Sequence, residues 1–422
     1  MASWRQYINQ PTSFEHSRAK AMKNEQVVFS FTDENFQRDP AAVFALMREK
    51  CPVHHATGPA PHFTITRAED VTKALRDEKI WSSKYGPGLA FSEPGIGVLV
   101  SSDPPEHTTE RKAISRIFKP SVIEKMEDDI TELTHTLIDS IADRKSGDII
   151  RDFAAPIPLT VMCWMLGTPT EDIELFRSWV LPMAEAVAYS GGREASDEVK
   201  NAYQDFFAYF ESHIENRKEA IQSQKDYPED LLTRLLTVTH EGNQLPTKKI
   251  LGFCQFLLVA GSETTTLMIG NILHRLMENP NQFDLVKKDQ SLLPNAVEES
   301  LRYDAPVHGL FRTNNQEMTM HGVKMPENSK VCMMFASANR DPQAWDDPNT
   351  FDITRDLADL RNHASFGVGS HYCLGAPLSR LEGTIALKAI IERLPKIRSN
   401  GPPTHTNAGV LKGFSTLPVR WD

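Results

Sequence analysis

Hydrophobic positions are densest in residues 247–278, a stretch without internal proline that stops at Asn279-Pro280. As one helix it would reach roughly 45–50 Å, longer than an ordinary surface helix. Its middle, Phe253-Cys254-Gln255-Phe256-Leu257-Leu258-Val259-Ala260-Gly261, is apolar almost all round, which predicts a helix running through the core. Ser262-Glu263 directly afterwards makes the run too short for a bilayer span. Helix starts are frequent upstream of it. Asp103 to Glu106, Ser121 to Glu124, Thr168 to Glu171 and Asp226 to Glu229 each place a capping oxygen three residues before an acid. Most of residues 100–300 is therefore predicted helical. From about Pro306 the pattern changes to short β-rich runs, such as Met318 to Val323 and Lys330 to Phe335, between Gly, Pro and Asn turns. A last helix is expected from about Gly375 to Arg393, and a terminal hairpin over Val410 to Trp421 around Lys412-Gly413.

The class is mainly α with a smaller β subdomain, β-rich near residues 50–70, 306–340 and 400–422. No repeat, low-complexity block or linker divides the 422 residues, so a single domain is expected over 1–422, with 1–35 as an N-terminal extension.

Charge narrows the partners. Lys and Arg total 46 against 56 Asp and Glu, a net −10, which does not attract nucleic acid. The five cysteines (Cys51, Cys163, Cys254, Cys332, Cys373) are odd in number and scattered, the usage of a reducing compartment rather than a disulfide framework. The first thirty residues hold no apolar run long enough for a signal peptide or anchor, so a cytoplasmic protein without membrane attachment is expected.

The chemistry concentrates in Phe366-Gly367-Val368-Gly369-Ser370-His371-Tyr372-Cys373-Leu374-Gly375, just before the last helix. A cysteine at a helix N-terminus meets unpaired N–H groups and the positive end of the macrodipole, which favours its thiolate and predicts a lowered pKa. The glycines allow close approach to a flat cofactor, and Phe366 can shield the sulfur from water. A dinucleotide-binding loop does not fit, because Tyr372 stands where a third glycine is needed. Zinc would need Cys51, His54, His371 and Cys373 assembled without any C-x-x-C pair.

This stretch resembles the haem-binding loop of the cytochromes P-450, F-G-x-G-x-H-x-C-x-G, at every fixed position. The resemblance implies a haem-thiolate monooxygenase with a long helix over haem b (iron protoporphyrin IX), Cys373 as axial iron ligand and His371 on a propionate, with Phe366, Gly367 and Gly375 around them. Ala260-Gly261-Ser262-Glu263-Thr264-Thr265 is similar to the family's oxygen-activation motif. Thr264 can bond back to the carbonyl of Ala260, which with Gly261 would loosen the helix and open a groove beside the cofactor. The resemblance makes Thr264 and Glu263 the catalytic pair that handles protons. Glu299 and Arg302 match the family's E-x-x-R, with Arg355 as a third, structural member. His107, Arg111 and Arg312 match its propionate contacts, since buried carboxylates require cationic partners.

Alignment through these motifs lines the substrate pocket with the loop Trp81 to Val100, Phe256, Val259, Ala260, the segment Pro306 to Leu310 including Val307 and His308, and Val410 and Leu411. This set is apolar apart from His308, which either binds a substrate oxygen or packs at the pocket edge, the latter favoured. The implied partners are an apolar small molecule, O2, and a ferredoxin with its reductase, because no flavin or iron–sulfur segment is present. Arg111, Lys112, Arg116 and Lys119 form a basic helix suited to an acidic ferredoxin, or an ordinary solvated face. A haem sensor or carrier, and a peroxide-driven or non-oxygenating enzyme, are the alternatives; Glu263-Thr264 argues against both.

Overall fold

The computed structural model describes residues 22–23, 26–27, 31, 36 and 39–422, the last stretch without 58–59, 96, 190–194, 241–242 and 407–408. The expected N-terminal extension therefore lies largely outside the described residues. The chain runs through helices α1 (Ala41–Lys50), α2 (Ala68–Arg76), α3 (Glu106–Ile114), α4 (Glu127–Ile141), α5 (Pro156–Leu166), α6 (Ile173–Tyr189) and α7 (Asp197–Gln222). It then enters the central α8 (Thr247–Glu278), followed by α9 (Leu293–Tyr303) and α10 (Ala376–Arg393). Helix α8 packs on α5, α6, α7, α9 and α10. Its N-terminal half supplies Phe253, Cys254 and Leu258 to the core, and its C-terminal half Met268, Ile272 and Leu276. By length and composition alone α8 could cross a bilayer, contrary to the expectation that it is too short. An 18-residue window of mean hydropathy 1.3 runs along it, and 67% of that window is packed inside the molecule.

The main sheet has five strands in the order β1 (Val53–Ala56), β2 (His62–Ile65), β8 (Lys330–Met333), β5 (Leu310–Asn314) and β3 (Trp81–Ser82). Strand β8 runs parallel to β2, with Cys332 opposite Thr64, and antiparallel to β5, with Lys330 opposite Thr313. The run beginning at Met318 forms a hairpin, β6 (Met318–Met320) against β7 (Val323–Met325), turning at His321-Gly322. This sheet carries Arg312 to the interior on β5.

The terminal hairpin around Lys412-Gly413 does not form. Instead β11 (Phe414–Thr416) pairs with β10 (Thr404–His405), and β12 (Pro418–Arg420) pairs with both β9 (Arg398–Ser399) and β4 (Ser146–Asp148). Val410 to Lys412 run alongside Pro306 to His308, with Leu411 bridged to Val307 and the Lys412 amide bonded to the Pro306 carbonyl. Long-range partners displace the local turn.

The four capping boxes also resolve differently. Asp103 turns its carboxylate back to the Ser83 amide at 2.6 Å and to the Ser82 hydroxyl. Ser121 lies inside a short helix that begins at Pro120. The Thr168 hydroxyl bonds back to the Cys163 carbonyl. Asp230, not Asp226, caps the helix Leu231–Thr237 by accepting from the Thr233 amide. Helical turns still begin close to each site, at Glu106, Pro120, Thr170 and Leu231.

Candidate haem site

The cysteine loop is a chain of tight turns. Residues Ala364–Phe366 and Gly369–His371 form single 3₁₀ turns; Gly367 (φ 71°) between them and Gly369 (φ 81°) opening the second have positive φ. Gly369 also lies flat on α2: a Cβ there would stand 2.9 Å from the Leu75 carbonyl. The turns return the chain so that the Cys373 amide donates to the Phe366 carbonyl at 2.8 Å, and α10 starts three residues later.

Cys373 is exposed at its side chain yet closely walled by protein. Burial by those walls is the largest influence on the thiol and pushes its pKa up. The amides of Gly375 and Ala376 and the guanidiniums of Arg111 and Arg380 pull the other way without overcoming it. The expectation of a lowered thiol pKa is thus corrected: the helix N-terminus favours the thiolate, but desolvation outweighs it. A cation bonded to the sulfur would reverse that balance.

Four bases converge beside the loop. His107 and Arg111 come from α3, Arg312 from β5 and His371 from the loop itself; the two imidazoles lie 4.0 Å apart centroid to centroid. Burial is the first cause in each case. It lowers the pKa of His107 and Arg111, holds Arg312 at about 10, and, with Arg312, His107 and Arg111 nearby, depresses His371 to about 2. Arg312 is 4% exposed and donates only to the neighbouring Phe311 carbonyl; among the described residues it forms no ion pair. His107 Nδ1 is buried without a partner, and His371 Nε2 reaches Ser83 Oγ at 3.2 Å. Desolvated bases with unspent donors would fit the two carboxylates of a haem whose iron Cys373 would hold.

On α8 the Thr264 hydroxyl donates to the Ala260 carbonyl at 2.7 Å, and Ser262 and Thr266 bond back in the same way to Leu258 and Ser262. The helix stays continuous from Thr247 to Glu278. Glu263 and Thr264 are both half-buried. Gly261, expected on the cofactor side, has a different physical reason: its missing Cβ would stand 2.6 Å from Met162 Sδ on α5, so the glycine lets α5 and α8 pack closely.

Glu299 and Arg302 are 0% exposed and doubly bonded, Arg302 Nε to Oε2 at 2.6 Å and Nη2 to Oε1 at 2.7 Å. Arg302 also donates to the carbonyls of Asn339, Pro348 and Thr350. Glu299 further accepts from the Asp352 amide at 2.8 Å and from Arg355 Nε at 3.4 Å. A second buried network escaped the sequence reading. Glu298 accepts from Arg380 and lies 2.9 Å from His363 Nε2; Arg380 covers the Phe366 ring at 4.6 Å and donates to the Tyr372 hydroxyl. It clamps α9 and α10 to both sides of the cysteine loop. The only local signal was an acid next to Glu299.

Val259, Val307, Val410 and Leu411 join one apolar cluster, with Leu89 and Ala184, while Phe256 packs on the larger core. His308 does not face it openly. Its ring is 1% exposed, wedged edge-on against Phe36 and Phe44 at 5.7 Å each, and burial depresses its pKa to about 3. The ring thus packs, as favoured, on phenylalanines of the same apolar cluster.

The sequence model of the family "Cytochrome P450" matches residues 34–413. Cytochrome P450 107B1 of Saccharopolyspora erythraea is 34% identical over 92% of this chain and 96% of its own length. The cyclomarin C epoxidase CymV of Salinispora arenicola is 34% identical over 85% and 89%. The solved structure of cytochrome P450 CYP109Q5 from Chondromyces apiculatus superposes with a TM-score of 0.82 at 30% identity, covering 93% of this chain and 98% of that one. A family match over nine tenths of the chain, relatives covered over most of their length and a turn-built loop that sets Cys373 at the start of the last helix agree: the chain belongs to the cytochrome P450 family and is a haem-dependent monooxygenase.

Proposed function

We propose that this enzyme hydroxylates or epoxidises an apolar organic molecule, using electrons that arise from NAD(P)H and arrive through a separate ferredoxin and its reductase. Haem, held by Cys373 and by His107, Arg111, Arg312 and His371 at its carboxylates, supplies the activation of dioxygen. The protein's own residues supply protons, orientation and exclusion of water. The observation that carries the reading is the Thr264 hydroxyl, whose proton is committed to the Ala260 carbonyl at 2.7 Å. Its oxygen therefore faces outward as an acceptor and holds a proton-donating water in place, while half-buried Glu263 beside it exchanges protons with solvent. Val259, Val307, Val410, Leu411 and Leu89 form the apolar wall against which the substrate sits.

Lys112, Arg116 and Lys119 are exposed and support ferredoxin docking; Arg111, counted with them from sequence, turns inward. Five free thiols support a cytoplasmic location.

Two substitutions test the reading. Thr264→Ala should keep haem and substrate binding but divert NAD(P)H consumption to hydrogen peroxide; product formed in step with NAD(P)H would sink the assigned role. Cys373→Ala should abolish the absorption signature of thiolate-ligated haem, and an unchanged reduced carbon monoxide spectrum would overturn the ligand assignment.

A further inference from the structure

Lys330, the first residue of β8, is a buried cation held by carbonyls rather than carboxylates. It is 3% exposed, and among the described residues it forms no ion pair. Its ammonium instead donates to two consecutive carbonyls, Tyr85 at 2.8 Å and Gly86 at 2.9 Å, and stands 4.9 Å from the ring centroid of Phe91. All three partners belong to one loop. Burial and the nearby Arg312 push its pKa down to about 8, so the ammonium tolerates this place only while those acceptors surround it.

The loop joins the two halves of the site. At one end Ser83 meets His371 and Asp103, next to the bases that fit the haem carboxylates. At the other, Leu89 enters the apolar cluster of Val259, Val307 and Leu411. Between them the Tyr85 carbonyl also accepts from the Ser92 amide at 3.0 Å, and the Pro87 carbonyl from the Phe311 amide at 2.9 Å. Phe91 is 58% exposed, so apolar burial does not hold this part of the loop down. Any shift of the loop strands the ammonium without acceptors, which makes Lys330 a pin of defined geometry.

We propose that Lys330 is a positioning residue for substrate specificity: by fixing the Tyr85–Phe91 loop it sets where Leu89 stands, and so which molecules fit above the haem. This rests on the reading of Leu89 as pocket wall. The probes are imidazole, which needs only the iron, and 4-phenylimidazole, which also fills the space around it. Both are titrated by absorption into the haem-loaded enzyme.

In Lys330→Met, 4-phenylimidazole affinity should change about tenfold while imidazole affinity stays within about twofold. Amide hydrogen exchange over residues 85–92 should accelerate with an unchanged carbon monoxide spectrum. Lys330→Arg should restore part of both effects. Phe91→Leu, a surface change that leaves the fold intact, should shift the same two readouts in the same direction if Lys330→Met does not fold. Unchanged exchange, faster exchange without a change in 4-phenylimidazole affinity, or equal loss for both azoles overturns the proposal. Leu89→Trp separates the two readings: if it leaves 4-phenylimidazole binding unaltered, the pocket assignment fails; if it blocks binding while Lys330→Met does not matter, the pin fails.

Discussion

Two groups of buried charge, one around Glu299 and Arg302 and one around His107 and Arg312, differ in one respect. Around Glu299 and Arg302 every strong donor and acceptor is met within the protein, by Arg355, the Asp352 amide and three carbonyls. Around His107, Arg111, Arg312 and His371 no ion pair forms among the described residues, Asp103, Glu78 and Glu110 acting on them only at a distance, and a ring nitrogen of His107 has no partner. Arginines buried to nearly the same degree therefore do different work. The closed network is satisfied within the protein; the open one would be satisfied by the two carboxylates of the haem it is proposed to hold. Charge balance, not burial, separates scaffold from site.

Breaking the closed network should have the largest effect. Arg302→Leu leaves the buried Glu299 side chain without its doubly bonded partner and should destabilise the protein by about 3–5 kcal/mol, measured by urea unfolding of the haem-free chain. The open cluster should respond with the opposite sign. Arg312→Leu removes a desolvated cation, so the haem-free chain should be as stable as before or more so, while haem passes to a scavenger protein at least about tenfold faster. If both variants destabilise the haem-free chain alike, the distinction between the clusters collapses.

A smaller effect sharpens the comparison through pH. Burial alone would raise the Glu298 carboxyl, but His363 and Arg380 overcome it and hold the pKa at about 2, below the ordinary 4.5. A depressed folded-state value means that the stabilisation is complete above pH 4.5 and is lost as pH falls toward 2. The gap in unfolding free energy between the protein and Glu298→Gln, about 1–3 kcal/mol at pH 6, should therefore shrink through that window. A gap that stays constant from pH 6 to pH 3 would show that Glu298 acts by packing rather than by charge.

The features legible in advance share a short range. The cysteine loop, Ala260 to Thr265 and Glu299 with Arg302 are contiguous or one helical turn apart, so covalent spacing alone brings their side chains together. Helices α8 and α10 were legible because long apolar stretches and proline or glycine boundaries act locally. What was missed spans long separations: Glu298 meets His363 and Arg380 across 65 and 82 residues, and Lys330 reaches Tyr85 across 245. The terminal strands likewise exchanged a local hairpin for partners near residues 146 and 404.

By itself the sequence determined the fold class, the long central helix and the groups proposed to bind iron and move protons, since these depend on residue type and near-neighbour spacing. Tertiary structure alone decided how those groups are solvated. It turned Arg111 inward, sank His308 between two phenylalanines, and raised rather than lowered the thiol of Cys373. Desolvation and charge balance are sums over everything that surrounds an atom, and most of what surrounds these atoms is distant in the chain.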